Sequence, residues 1–141
     1  MNKILIIKSN YYKNISQNLL QNSVKKLKSK KIKISVIETP GIFEIPVTIK
    51  MNIKKFDAFV ALGCVIKGDT PHFNLICSST FDAIMQLSIK YDKPIGNGII
   101  TALNMRQAVE RSSKIGSVKP NKGAEAAHAV LSILANDPKK I

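Results

Sequence analysis

Four short runs of apolar, largely β-branched residues, at positions 4–7, 32–37, 58–65 and 95–101, recur along the chain, and the stretches between them repeat their apolar residues at helical spacing. This alternation constrains the fold more than any other feature. Runs such as ILII and AFVALGCV have no polar face, so each reads as a strand buried on both sides. Ile15, Leu19, Leu20, Val24 and Leu27 form one helical stripe. Phe73, Ile76, Cys77, Thr80, Phe81, Ile84 and Leu87 form a second, and residues 124–134 a third. Strands alternating with helices from end to end predict an α/β chain: a parallel sheet with helices on both faces. At 141 residues, 45% of them hydrophobic, the chain is expected to build one core and one domain over residues 1–141.

No apolar run approaches the roughly 20 residues of a membrane helix. The opening MNKILIIKSN turns polar again at Lys8, too early for a secretory segment, so a cytoplasmic location is expected. Cys64 and Cys77 have neither a second cysteine pair nor a histidine at ligand spacing, which argues against a disulfide framework or a zinc site. The one compositional extreme is charge: 22 Lys+Arg against 9 Asp+Glu, a formal +13. Such a balance raises a nucleic-acid or other anionic partner. However, all but Arg106 and Arg111 of the basic residues are lysines, many in runs such as KKLKSKKIK that suit a solvated surface, and no aromatic stripe of an RNA-reading sheet is present. No nucleic-acid partner is expected.

Open parallel sheets bind ligands beyond the carboxyl ends of their strands, which directs attention to four loops, at 9–13, 39–44, 66–72 and 102–104. The third is the richest. In VIKGDTPHF a strand ends near Val65, Thr70 can cap, and Pro71 suits a first helical position, so a helix should begin there with its free amides facing the crevice. A helix start of this kind attracts phosphate or carboxylate. His72 stands in its first turn, and an imidazole ordinarily titrates near neutral pH, so it is the candidate proton-transfer group. His128, within the last stripe, reads as a bystander.

In the second loop, TPGIFEIP, Phe43 and Glu44 lie between a strand and a short helix marked by Pro46. Main-chain amides there can read the edge of a heterocycle, and Glu44 can accept hydrogen bonds from hydroxyls or simply favour its own helix start. Tyr11 and Tyr12 offer a flat face to an aromatic ring. Arg111 suits bidentate phosphate contact or a surface ion pair. The segment 115–121, IGSVKPN, is the loosest loop. GxxxxGK[ST], GxGxxG after a strand and GxSxG are all absent, which disfavours ATP, dinucleotide and serine-hydrolase chemistry. A receiver-type signalling domain is disfavoured by the lack of an acidic cluster at the strand ends.

Taken together, GIFEIP at 41–46, ALGCVIKGDTPHF at 61–73, NGIIT at 97–101, QAVER at 107–111 and NKGAEAA at 121–127 resemble the 6,7-dimethyl-8-ribityllumazine synthases over nearly the whole chain. The resemblance implies a flavodoxin-like three-layer αβα sandwich with a four-stranded parallel sheet. It also implies an enzyme of riboflavin biosynthesis that needs no cofactor. Its members condense 5-amino-6-(D-ribitylamino)uracil with 3,4-dihydroxy-2-butanone 4-phosphate, releasing phosphate and water. By that resemblance Tyr11 stacks on the uracil, Ile42, Phe43 and Glu44 hold the ribityl chain, and Val65 and Ile66 meet the pyrimidine edge. Asp69 and Thr70 lie at the phosphate, His72 transfers protons, and Arg111, aided by Lys122, clamps the phosphate from a neighbouring subunit.

The resemblance further implies a homo-oligomer, a ring of five that in some members packs into a shell of sixty. The short N-terminus favours an isolated pentamer. Asn97 stands where many relatives place a Phe against the heterocycle, Lys67 replaces a frequent Arg, and the stretch between Arg111 and Lys122 is longer than usual. The lengthening leaves the parts of Lys114, Lys119 and Lys122 open. A flavin- or lumazine-binding protein of the same fold without turnover is the alternative reading.

Overall fold

A computed structural model describes residues 1–113 and 120–140. Lys114, Lys119 and most of the segment expected to be the loosest loop lie outside the described residues.

The four runs are the four strands, β1 (Asn2–Ser9), β2 (Ile32–Thr39), β3 (Ala58–Ile66) and β4 (Ile95–Ala102), each extending a residue or two past its apolar stretch at one or both ends. All pair in parallel, in the order β2-β1-β3-β4. The helices are α1 (Lys13–Leu27), α2 (Ile45–Met51), α3 (His72–Tyr91), α4 (Met105–Arg111) and α5 (Lys122–Ala135), with short 3-10 turns at Ile42–Glu44 and Pro138–Lys140.

Strand alternation explains why a continuous apolar run was needed. Ile4 and Ile6 of β1 enter one core with Leu19, Leu62, Ile100 and Val130, under α1 and α5. Leu5 and Ile7 enter the other, with Ile45, Ile49, Phe59 and Ile84, under α2 and α3. Each such fully buried side chain contributes about 1.5–3 kcal/mol relative to an exposed one. Helix α5 seats tightly on α1: a β-carbon on Gly123 would come within 2.3 Å of the Leu19 carbonyl oxygen, and Ser23 Oγ donates to the Gly123 carbonyl at 2.7 Å.

One expectation fails. β2, an edge strand, is not buried on both faces: Lys33, Val36 and Glu38 are exposed, whereas the other edge strand, β4, is covered by α5, whose Ala126 carbonyl a β-carbon on Gly96 would approach to 2.3 Å. The charged residues of β2 keep its open edge from pairing with other strands.

Candidate functional site

The sheet order reverses between β1 and β3, since the chain leaves β1 towards β2 on one side and β3 towards β4 on the other. A crevice opens at such a switch point, above the carboxyl ends of the strands. Here it is a hollow of about 240 Å³. Tyr11 and Tyr12 come from the loop after β1, Ile42 and Phe43 from the turn after β2, and Cys64, Val65 and Ile66 from the end of β3; His72 and Ile76 come from the first turns of α3.

The sequence dictates this arrangement locally. Gly63 lets β3 pass against the 3-10 turn, because any β-carbon there would lie 2.7 Å from Ile42 Cγ2 and 2.9 Å from Ser9 Cβ. Thr39 Oγ1 donates to the Gly41 carbonyl at 2.9 Å, and Thr48 Oγ1 donates to the Glu44 carbonyl at 2.8 Å, fixing both ends of that turn. Ser16 Oγ of α1 donates to the Ser9 carbonyl, which anchors the loop carrying the tyrosines. Tyr11 and Tyr12 meet edge to face with centroids 4.9 Å apart, and Tyr11 remains 73% exposed. Phe43 is 61% exposed. Two large aromatic faces turned towards water at a strand-end hollow are what a flat ligand requires.

At the other wall, α3 starts one residue later than expected: Pro71 occupies the cap position, and His72 is the first helical residue. Thr70 Oγ1 accepts a long hydrogen bond, 3.4 Å, from the His72 N–H. Among the described residues the N–H groups of Phe73 and Asn74 have no partner, so the helix start presents free donors beside the imidazole. Burial pushes the Cys64 thiol up to about 12 and also raises Tyr12 and Cys77, so no thiolate is offered to the hollow at neutral pH.

Of the residues singled out from the sequence, Tyr11, Ile42, Phe43, Val65, Ile66 and His72 thus meet around one hollow. Asp69 and Thr70 lie exposed on the loop leading into α3, and Glu44 is half-buried at the cap of α2. Asn97, Arg111 and Lys122 do not reach the hollow. They line a second one, of about 260 Å³, at the open edge of β4 with Phe81, Thr101, Pro120 and Glu125. Arg111 Nη1 makes only a 3.5 Å contact to the Gln107 carbonyl and, among the described residues, no ion pair. The Asn97 side chain bonds locally, its Oδ1 accepting from the Ile99 N–H at 3.0 Å. His128 is exposed on α5, away from both hollows.

Cys64 and Ile76 were missed as lining residues. Ile76 could have been found, being four residues from His72 on one helix face. Helix α4, which carries Arg111, was also missed, although NMRQ spells its start: Asn104 Oδ1 accepts from the Gln107 N–H at 2.9 Å while Gln107 Oε1 accepts from the Leu103 N–H at 2.8 Å.

The family described as 6,7-dimethyl-8-ribityllumazine synthase matches residues 1–137. Relatives bearing that same name include one from Nitrobacter hamburgensis, 37% identical over 139 residues that cover 94% of this chain and 83% of the relative. A relative from Bartonella tribocorum is 38% identical, covering 94% and 87%, and one from Corynebacterium glutamicum is 36% identical, covering 92% and 80%.

Proposed function

The chain belongs to the 6,7-dimethyl-8-ribityllumazine synthase family, and from that premise we propose how its residues divide the work. The reaction joins 5-amino-6-(D-ribitylamino)uracil to 3,4-dihydroxy-2-butanone 4-phosphate and yields 6,7-dimethyl-8-ribityllumazine, phosphate and water. The uracil lies in the hollow above β1 and β3 with its ring against Tyr11. Ile42, Phe43 and Glu44 hold the ribityl chain, and the ends of Val65 and Ile66 meet the pyrimidine edge. One observation carries this reading: the switch-point crevice gathers two exposed aromatic faces, an imidazole and a helix start with free N–H donors around a single hollow.

The uracil 5-amine attacks the butanone carbonyl and an imine forms with loss of water. Phosphate then leaves by elimination, and the ribityl-bearing nitrogen closes the ring on the remaining carbonyl with loss of a second water. His72 carries the protons these steps move, and the amides of Phe73 and Asn74, with Thr70 and Asp69 on the same loop, receive the phosphate end. Most of the acceleration comes from holding two substrates in register.

Asn97, Arg111 and Lys122 act from a neighbouring subunit. Their hollow at the β4 edge shares no residue with the one holding His72, so a complete site needs two chains. Exposed Leu75, Met85 and Ile89 along α3, and Val47 and Met51 on α2, supply apolar surface for that contact. The assembly is a homo-oligomer, a pentamer at least, of chains acting as one domain over residues 1–141. Among the described residues no helix is long and apolar enough to cross a membrane, and the enzyme works in the cytoplasm on soluble substrates.

Mixing the purified protein with both substrates and following the absorbance and fluorescence of the lumazine tests the reading. Product should form only when both are present. Tight binding of lumazine or flavin with no turnover would overturn it in favour of the non-catalytic alternative.

A further inference from the structure

At the opposite end of the sheet from the aromatic hollow, where the strands begin, lies a depression of about 380 Å³ lined by Lys3, Lys33, Ser35, Lys54, Lys55 and Phe56. We propose that it binds a multivalent phosphate anion, an oligophosphate chain, at a place separate from both hollows used in catalysis.

Lys3 and Lys33 are register partners on adjacent parallel strands. Their side chains therefore rise from the same face of the sheet, with backbones only about 4.8 Å apart. Lys54 and Lys55 approach from the turn after α2, which is closed by hydrogen bonds from Ile53 N–H to the Lys50 carbonyl and from Lys55 N–H to the Asn52 carbonyl. None of the four ammonium groups has an ion-pair or hydrogen-bond partner among the described residues. The nearest carboxylate in sequence, Asp57, accepts instead from the Lys3 backbone N–H at 2.7 Å, while its own N–H donates to the Lys3 carbonyl at 2.8 Å.

Placing four like charges together with a single carboxylate, that of Asp57, beside them disfavours the fold locally, and an anion with several charges in a row relieves all four lysines at once. Lysine ammoniums are point donors suited to phosphate oxygens, and the Ser35 hydroxyl adds a neutral donor. A single carboxylate or one phosphate would leave most of the positive charge unmatched. By contrast, Lys93 nearby is already occupied, donating to the carbonyls of Ile53 and Phe56.

The experiment titrates the assembled protein with tripolyphosphate and, separately, with ATP, by calorimetry at about 0.15 M salt, where the screening length is about 8 Å. One binding event per chain is expected. The Lys33→Gln/Lys54→Gln variant should bind at least tenfold more weakly while synthase turnover and assembly size stay unchanged. A variant removing the same charge from α1, Lys25→Gln/Lys26→Gln, should keep the affinity, as should Arg111→Ala. Equal affinity for the two probes identifies the bare phosphate chain as the ligand, and clearly tighter binding of ATP identifies a nucleotide.

Equal weakening in the α1 variant would reduce the effect to net charge and overturn the proposal. Loss in Arg111→Ala would place the anion at the β4 edge and also overturn it, as would the absence of binding by either probe. None of these outcomes bears on synthase turnover, so this site and the catalytic reading stand or fall separately.

Discussion

Gly63 and Ile42 touch so closely that an added β-carbon on the glycine would stand 2.7 Å from Ile42 Cγ2. The strand end under the hollow and the turn that walls it therefore have no slack between them. Gly63→Ala must push that turn outward, at a cost of roughly 1–3 kcal/mol typical of overpacking. A lowered melting temperature together with a raised KM for the uracil substrate is expected. An unchanged melt and KM would show that the turn yields freely.

His72→Ala should reduce kcat by about 10²-fold or more, within the usual range for loss of a positioned acid or base, and leave KM for both substrates nearly unchanged. Steady-state kinetics over several pH values checks this. Complete loss of substrate binding would mean that the imidazole holds substrate rather than moving protons.

If each site combines two chains, His72→Ala and Arg111→Ala oligomers that are separately weak should regain activity when dissociated and reassembled together. Some mixed interfaces will then pair an intact His72 with an intact Arg111. Zero recovery despite mass-spectrometric proof of mixing would reject the shared site.

Tyr11 stands 73% exposed with its ring edge against Tyr12, so its removal should leave folding intact. Tyr11→Leu is expected to raise KM for the uracil by about two- to tenfold, the equivalent of one aromatic contact of 0.5–1.5 kcal/mol. KM for the phosphate ester should change little, which separates loss of stacking from general damage.

The Cys64 thiol, raised from 9.0 to about 12 by burial, should resist alkylation at pH 8 in the native protein and react once the protein is unfolded, as intact-mass measurements would reveal. Its folded value lies above its unfolded one, so the unfolded chain releases the proton first as pH climbs. Stability from this group is complete below about pH 9 and should decline towards pH 12.

The strands were legible because a buried parallel strand must be apolar on both sides, a condition that β3 meets over its whole length and β1 in its central ILII, with β4 interrupted only by Asn97 and Thr101. β2 misled because IKISVI reads as a buried run, and how much of an edge strand is covered depends on the helices laid over it: α5 packs on β4, the other edge, while β2 keeps Lys33, Val36 and Glu38 exposed. Loop residues at strand ends were found by the same topological rule, and most of those named gather at one hollow. Arg111 was legible as a chemical type, but its position required α4, a seven-residue helix with too few apolar repeats to announce itself. Glu44 illustrates a further limit. Its carboxylate can face a ligand or serve its own helix, and nothing in a linear string separates the two.

The packing of α5 over the face shared by β1, β3 and α1 also governs how the chain emerges from a ribosome. Every wall of the aromatic hollow is encoded by residue 76, yet Ile4, Ile6, Leu19 and Leu62 have only the part of their cover that α1 supplies until Val130 and Leu134 have been synthesised. A nascent chain therefore carries a greasy flank for more than the last third of its translation, and factors that shield such flanks should set how much enzyme a cell recovers.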